Sequence, residues 1–242
     1  MSSNNTESNE RIRVEGIFDT LEFPEQLVAH VVDIGDGHSE RRIAGYAVES
    51  DLAVHHSFVA TVFLALRGEL PTAGELAAFS TALTLLSPTS VNESAGHVAV
   101  LARITAASDE VLGAVIASAI GQSTKAELID HDALCAFVDG NGEAPPSCIT
   151  TDADAVERYR AVVERSHRWF QTPLSAAAAL TRVATAWALL AKLQFRSALQ
   201  LQSVSLLARL PVLLGEAGHV VMGTVTRYAT RTPDHHYVEA QR

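Results

Sequence analysis

The chain has 242 residues, with 18 Lys and Arg against 28 Asp and Glu, for a formal charge of −10. That balance excludes nucleic acid and anionic membranes as natural main partners, but a locally basic pocket for a small anionic metabolite remains open. Hydrophobic residues reach 48% while aromatics stop at 6%, so Ala, Leu and Val must fill the core, as in closely packed helices.

Residues 1–10 are polar without an apolar run, which predicts a disordered lead-in rather than a secretion signal. Loose alternation at Ile12, Val14, Ile17 and Phe18 predicts a short strand or extended arm before Pro24. Ile34-Gly35-Asp36-Gly37 reads as a turn, and Gly45-Tyr46 as a second turn-type start. An apolar helix runs from Ser57 to Leu66, ended by Gly68, which reaches a left-handed conformation without a Cβ penalty. Pro71-Thr72 launches the next helix, 73–86, with Thr72 and Glu75 spaced as a capping box.

Pro88 breaks that helix, and Ser90 to Glu93 cap a third one over 95–107. Asp109 caps a fourth over 111–120, apolar on most faces and so expected at the centre, with Gly121 ending it. A fifth helix is expected over 127–138, then a Gly- and Pro-rich linker over 139–147. Two cysteines, Cys135 and Cys148, stand without a framework and predict free thiols in a reducing, cytoplasmic setting. A polar amphipathic helix spans 152–169, and an Ala-rich helix runs from Ser175 to Leu193. Arg182 and Lys192 within the latter favour a buried core helix over a membrane span. A Leu-rich helix over 200–222, bent near Pro211, precedes a polar tail with Tyr228, Tyr237 and the pair His235-His236. Nearly everything reads as helix, so the fold class is all-α.

Several of these residues also form a pattern. Gly45-Tyr46, the Ser57-Phe58 helix start and Gly68-Glu69-Leu70-Pro71-Thr72 match, in order and spacing, the entry region of citrate synthases and citryl-CoA lyases. The segment 88–121 resembles the family's stretch between that entry corner and its first active-site turn, and Ala208-Arg209-Leu210-Pro211 resembles its late "aRlpg" helix. The likeness covers most of 42–121 and 203–218. It implies a citrate synthase-like helical fold with a small N-terminal hairpin, a large lobe over 11–148 and 200–242, and a shortened small lobe over 149–199. It also implies a dimer, with itself or with a related subunit.

Citrate synthases use an Asp base, a His in a His-Gly-Gly-Ala turn and a second His in a Pro-Gly-Phe-Gly-His loop. A carboxylate removes the α-proton while two donors face oxygens that gain charge. All three positions depart here. Gly121 is followed by Gln122-Ser123-Thr124-Lys125, the 141–148 linker has no His, and Pro173-Leu174-Ser175 stands where the Asp would begin a helix. Loss of a general base alone removes ~10²–10⁴-fold in rate, so ordinary citrate synthase activity is not expected.

The resemblance leaves a set of candidates. His97, Lys125 (at the enol-stabilising position) and His167 are the catalytic candidates; Arg209, Arg168 and His219 are those for holding substrate. Arg209 corresponds to a family arginine that grips a carboxylate with its guanidinium fork. Each has a plainer reading: a helix-face Arg paired with an acid, a solvated Lys, or a structural His. His131 falls in the last group, and the pairs His55-His56 and His235-His236 diverge too far to ligate a metal alone. No Cys or His spacing matches zinc and no phosphate loop is present, so no metal or cofactor is expected, with a CoA thioester entering only as substrate. Two functions are open. One is a divergent enzyme forming or cleaving a C–C bond in a carboxylate-bearing keto acid or acyl-CoA substrate. The other is an inactive citrate synthase-like subunit or small-molecule-binding partner.

Overall fold

Two strands pair as a hairpin on either side of the turn expected at Ile34–Gly37, of which Asp36 and Gly37 lie outside the described residues. The computed structural model describes residues 28–35, 38–105 and 107–220, so the lead-in, the arm before Pro24 and the tail beyond 220 lie outside the described residues. Strand β1 (Ala29–Gly35) pairs antiparallel with β2 (His38–Ile43), in a register that sets Ala29 against Ile43 and Asp33 against Ser39. A bulge comes after Asp33, whose Oδ1 accepts from the Gly35 N–H at 2.8 Å. β3 (Tyr46–Ala47) returns against β2 through Ala44 (φ 47°) and Gly45 (φ 87°). Two consecutive positive φ values are what a right-twisted two-residue hairpin loop requires, and Gly45 adopts its value freely.

A π turn, Val48–Leu52, leads into the single turn α1 (Ala53–His55) and then α2 (Phe58–Arg67). Ser57 Oγ caps α2 by accepting from the Ala60 N–H at 3.2 Å. Gly68, at φ 82°, closes it by donating to the Leu64 carbonyl at 2.7 Å. These elements belong to one compact unit ending at Thr72.

A second unit begins at Ala73 and contains α3 (Ala73–Leu86), α4 (Ser94–Ile104), α5 (Asp109–Glu127), α6 (His131–Val138), α7 (Ala153–Trp169), α8 (Arg182–Lys192) and α9 (Ala198–Gly218). The chain thus divides at 72/73. The segment 149–199, expected as a reduced lobe, lies wholly within the second unit, where α7 and α8 both pack on α3. Helix α8 is the central one: every residue from Ala184 to Ala191 is buried. Phe79 of α3 stacks on Phe195 just beyond α8, with ring centroids 5.2 Å apart. Ala95 and Ala99 of α4, Leu112, Ile116 and Ile120 of α5, and Leu213 and Ala217 of α9 form a second cluster. Its small alanines let the three helices approach closely. Gly96 makes the tightest approach, since a Cβ there would lie 2.2 Å from the Ser90 carbonyl oxygen.

Three expectations need correction. Helix α5 is not buried all round: Leu112, Ile116, Ile120 and Thr124 face inward, while Val111 and Val115 are exposed. It also runs through Gly121 to Glu127, because packing of Ile120 and Thr124 outweighs the ~1 kcal/mol cost of an interior glycine. The Ala-rich helix starts at Arg182 instead of Ser175, with the Thr181 side chain accepting from the Ala184 N–H. Residues 179–181 pair with 148–150 instead: Thr150 N–H donates to Ala179 O at 2.9 Å and Thr181 N–H to Cys148 O at 2.8 Å. Backbone partners thirty residues away override the helix propensity of the alanines there. The class is helical, as expected, with one small three-stranded sheet added.

Candidate binding cavity

Ser87-Pro88 ends α3 and leaves its last carbonyls without helical partners. Two arginines meet them. Arg182 donates to the carbonyls of Leu85 and, at 3.0 Å, Pro88. Arg209, from the middle of α9, donates through Nε to the Leu86 carbonyl at 3.3 Å. Positive charge at a helix C-terminus also offsets the dipole there.

Arg209 is 2% exposed and has a full counter-charge. Its Nη2 donates to Glu127 Oε2 at 2.9 Å, and Nη1 lies 2.8 Å from Oε1, although that N–H is not aligned for a hydrogen bond. One turn away, Thr124 Oγ1 donates to Ser205 Oγ at 2.6 Å. The α5–α9 seam therefore carries a polar stripe whose members face one another, Thr124 to Ser205 and Glu127 to Arg209. A substrate carboxylate could reach this guanidinium only by displacing Glu127.

Glu127 also forms part of the wall of a cavity of about 240 Å³. Four segments build it: the end of α5, the corner through Ile129 and Asp130 into α6, the short turn Pro146–Cys148, and the first turns of α8. Ser147 Oγ donates to Asp130 Oδ2 at 2.5 Å and braces the turn against the corner. The Thr181–Cys148 backbone bond braces the opposite side. Leu134, Val183 and Ala184 supply apolar wall, and Trp187 supplies an aromatic surface.

Two of the lining residues each carry a polar atom that is buried without a partner. Trp187 Nε1 and His131 Nδ1 are buried, with no hydrogen-bond partner among the described residues. Trp187 is 2% exposed and His131 9%. Buried polar groups normally find partners, and one left without costs roughly 1–3 kcal/mol. The other imidazole nitrogen of His131, Nε2, lies 3.4 Å from Cys135 Sγ, one helical turn on. Burial lowers the His131 pKa, with Asp132 opposing the effect and Arg196 adding to it, so the ring gives up its proton more readily than a free imidazole. Burial likewise raises the thiol pKa of both Cys135 and Cys148, so neither is poised as a thiolate nucleophile.

The sequence candidates are scattered relative to this cavity. Arg209 touches a wall residue through Glu127. Lys125 is exposed on the last turn of α5, His97 is half-buried on α4, His167 and Arg168 are exposed at the end of α7, and His219 is exposed at the end of α9. None of these five lines the cavity. The residues that do, chiefly Asp130, His131, Ser147, Cys148 and Trp187, carry no motif. The one sequence signal was an isolated histidine and a free cysteine flanking a Gly- and Pro-rich loop.

No protein-family model matches this sequence, and no curated protein matches it. Among solved structures the chain is similar to citryl-CoA lyase from Hydrogenobacter thermophilus, with 15% identity over 89% of this chain and 95% of that one, at a TM-score of 0.54. The chain has, over nearly the whole length of both proteins, the helical citrate synthase-like fold of that lyase.

Proposed function

We propose that this protein binds a small molecule in the cavity between α5, α6 and α8, and does not perform the carbon–carbon chemistry associated with its fold. The observation that carries the reading is the state of Arg209. Its fork grips Glu127 and its Nε grips the end of α3, so the guanidinium acts as an internal strut instead of a carboxylate receptor. The absent Asp base and histidine turns point the same way, since enolisation needs a carboxylate base and donors aimed at the oxygen that gains charge. About 240 Å³ also falls below the size typical of drug-sized ligand pockets, which argues against a whole CoA thioester inside it.

The competing reading is a divergent lyase acting on citryl-CoA or a related acyl thioester, supported by the shared fold. One assay separates them. Incubation of the purified chain with citryl-CoA, or with acetyl-CoA and oxaloacetate, is expected to release no free CoA and no keto acid. Turnover above background that disappears in Arg209→Ala but survives in a folded control variant would overturn the proposal. Citrate and oxaloacetate are likewise expected not to raise Tm.

A further inference from the structure

We propose that the outer edge of β1 docks a second copy of this chain, the two strands pairing antiparallel about a two-fold axis at Val31 so that their sheets run on into one. The contact lies within the unit that ends at Thr72 and is separate from the cavity.

The backbone sets which groups are available. Ala44 N–H donates to the Val28 carbonyl at 2.7 Å, so Val28 turns its polar groups towards β2. In an antiparallel pair that direction alternates from residue to residue. The register with β2 therefore turns His30 and Val32 inward too, and leaves Ala29, Val31 and Asp33 with N–H and carbonyl on the outer edge. Among the described residues β2 is the only strand beside β1, so that edge is open. The opposite edge of the sheet is β3, Tyr46 and Ala47 alone, too short to template a partner. Natural edges are blunted by Lys, Pro or a bulge. β1 contains neither residue, and its bulge comes after Asp33, past the outward set.

A second copy fits this edge because the edge is symmetric. The outward residues are centred on Val31, so a two-fold axis there pairs all of them: Val31 with its counterpart, Ala29 with Asp33 and Asp33 with Ala29. Sliding the copies by two residues either way leaves one end of the set unpaired. The exposed apolar side chains obey the same symmetry. Val28, Val31 and Ile34 are each more than half exposed, and in this register Val31 meets Val31 while Val28 comes opposite Ile34 at the bulge. Charge does not oppose it. Asp33, the only acid of β1, falls opposite Ala29 instead of its own copy, and its carboxylate already accepts from the Gly35 N–H. One strand edge buries less than the roughly 800 Å² per partner of a standard interface, so the dimer should be weak and concentration-dependent.

Cross-linking, sedimentation and amide exchange on the full chain test this. In Val31→Cys the paired Cα atoms would lie about 5.5 Å apart, within disulfide reach. Mild oxidation should then give a covalent dimer joined at position 31. Val32→Cys, whose counterpart would sit two residues along, should give little, and the parent, with only Cys135 and Cys148, none. Sedimentation should show an association step in the parent that Val31→Lys removes without unfolding the monomer, because it sets two ammonium groups across the axis. Exchange at the Ala29, Val31 and Asp33 amides should slow as protein concentration rises, about tenfold once free protein exceeds Kd by about the same factor, while His30 and Val32 stay unchanged. A parent that is monomeric at every concentration, an association untouched by Val31→Lys, or cross-linking at position 32 as efficient as at 31 overturns the proposal. Outward amides protected to the same degree at every concentration would mean that the chain covers this edge itself, and the proposal falls by that route too.

Discussion

The α5–α9 seam and the α5–α6–α8 cavity lie side by side, share Glu127, and treat their polar groups in opposite ways. Along the seam, Thr124 meets Ser205 and Glu127 meets Arg209, so hydroxyl, carboxylate and guanidinium have partners within the chain. Among the residues that line the cavity, Trp187 Nε1 and His131 Nδ1 are buried and have none within the described residues. The difference separates polarity that holds helices together from polarity left without a partner. Arg209, which marks a substrate pocket by resemblance, lies on the seam side of that divide, held by Glu127 and the Leu86 carbonyl. Its charge is matched by Glu127, and its Nε and Nη2 donate to partners within the chain.

The largest effect should come from cutting the seam. Arg209→Met leaves the Glu127 carboxylate, 22% exposed, without its counter-charge and should cost about 3–5 kcal/mol by chemical denaturation. Adding Glu127→Leu should recover most of that loss, since replacing a buried pair by apolar groups is often neutral or better. If the single variant keeps parental stability, Arg209 is not a strut and the contrast with the cavity collapses. Next in size is Gly96→Ala, where a Cβ 2.2 Å from the Ser90 carbonyl oxygen forces backbone to move. A loss of roughly 1–3 kcal/mol is expected, in line with overpacking elsewhere. A stability gain, as helix propensity alone would give, would show that the 90–91 loop yields freely.

How much of this was legible in the chain depends on how local each signal is. Helix α2 was readable because its start and stop, Ser57 and Gly68, act on backbone groups within four residues. The turn at Gly45 was readable for the same reason. The start of α8 was not, because the alanines before it obey their pairing with residues 148–150 rather than their own propensity. Gly121 looked like a terminus since nothing in its neighbourhood reveals that Thr124, three residues on, has a partner 81 residues away. Arg209 was visible as a residue and invisible as an interaction: its acid stands 82 positions upstream. The cavity was the hardest part. It assembles residues from four segments, and His131 alone on an apolar stretch gives no sign that it will line a cavity with Trp187.

Two smaller effects sharpen the contrast. Thr124→Val strands the Ser205 hydroxyl and should cost about 1 kcal/mol or somewhat more, while Thr124→Val with Ser205→Ala should cost distinctly less, because no buried polar group remains. Such non-additivity is the signature of a closed polar pair, and strict additivity would deny it. The smallest effect belongs to His131 and is read in pH. Burial holds its folded-state pKa below the ordinary imidazole value of 6.5, so at acidic pH the unfolded chain binds a proton that the folded one refuses. The contribution is therefore favourable above pH 6.5, is lost progressively as pH falls from there towards the depressed folded value, and changes no further below it. One group can supply at most about 1.4 kcal/mol per pH unit across that window. His131→Gln removes the titration while leaving a polar group beside Cys135, so its stability relative to the parent should improve as pH drops below 6.5. Parallel pH profiles for the two proteins would mean that the ring already takes up its proton when folded, and a cavity able to solvate an imidazolium would not leave Nδ1 and the indole N–H short of partners.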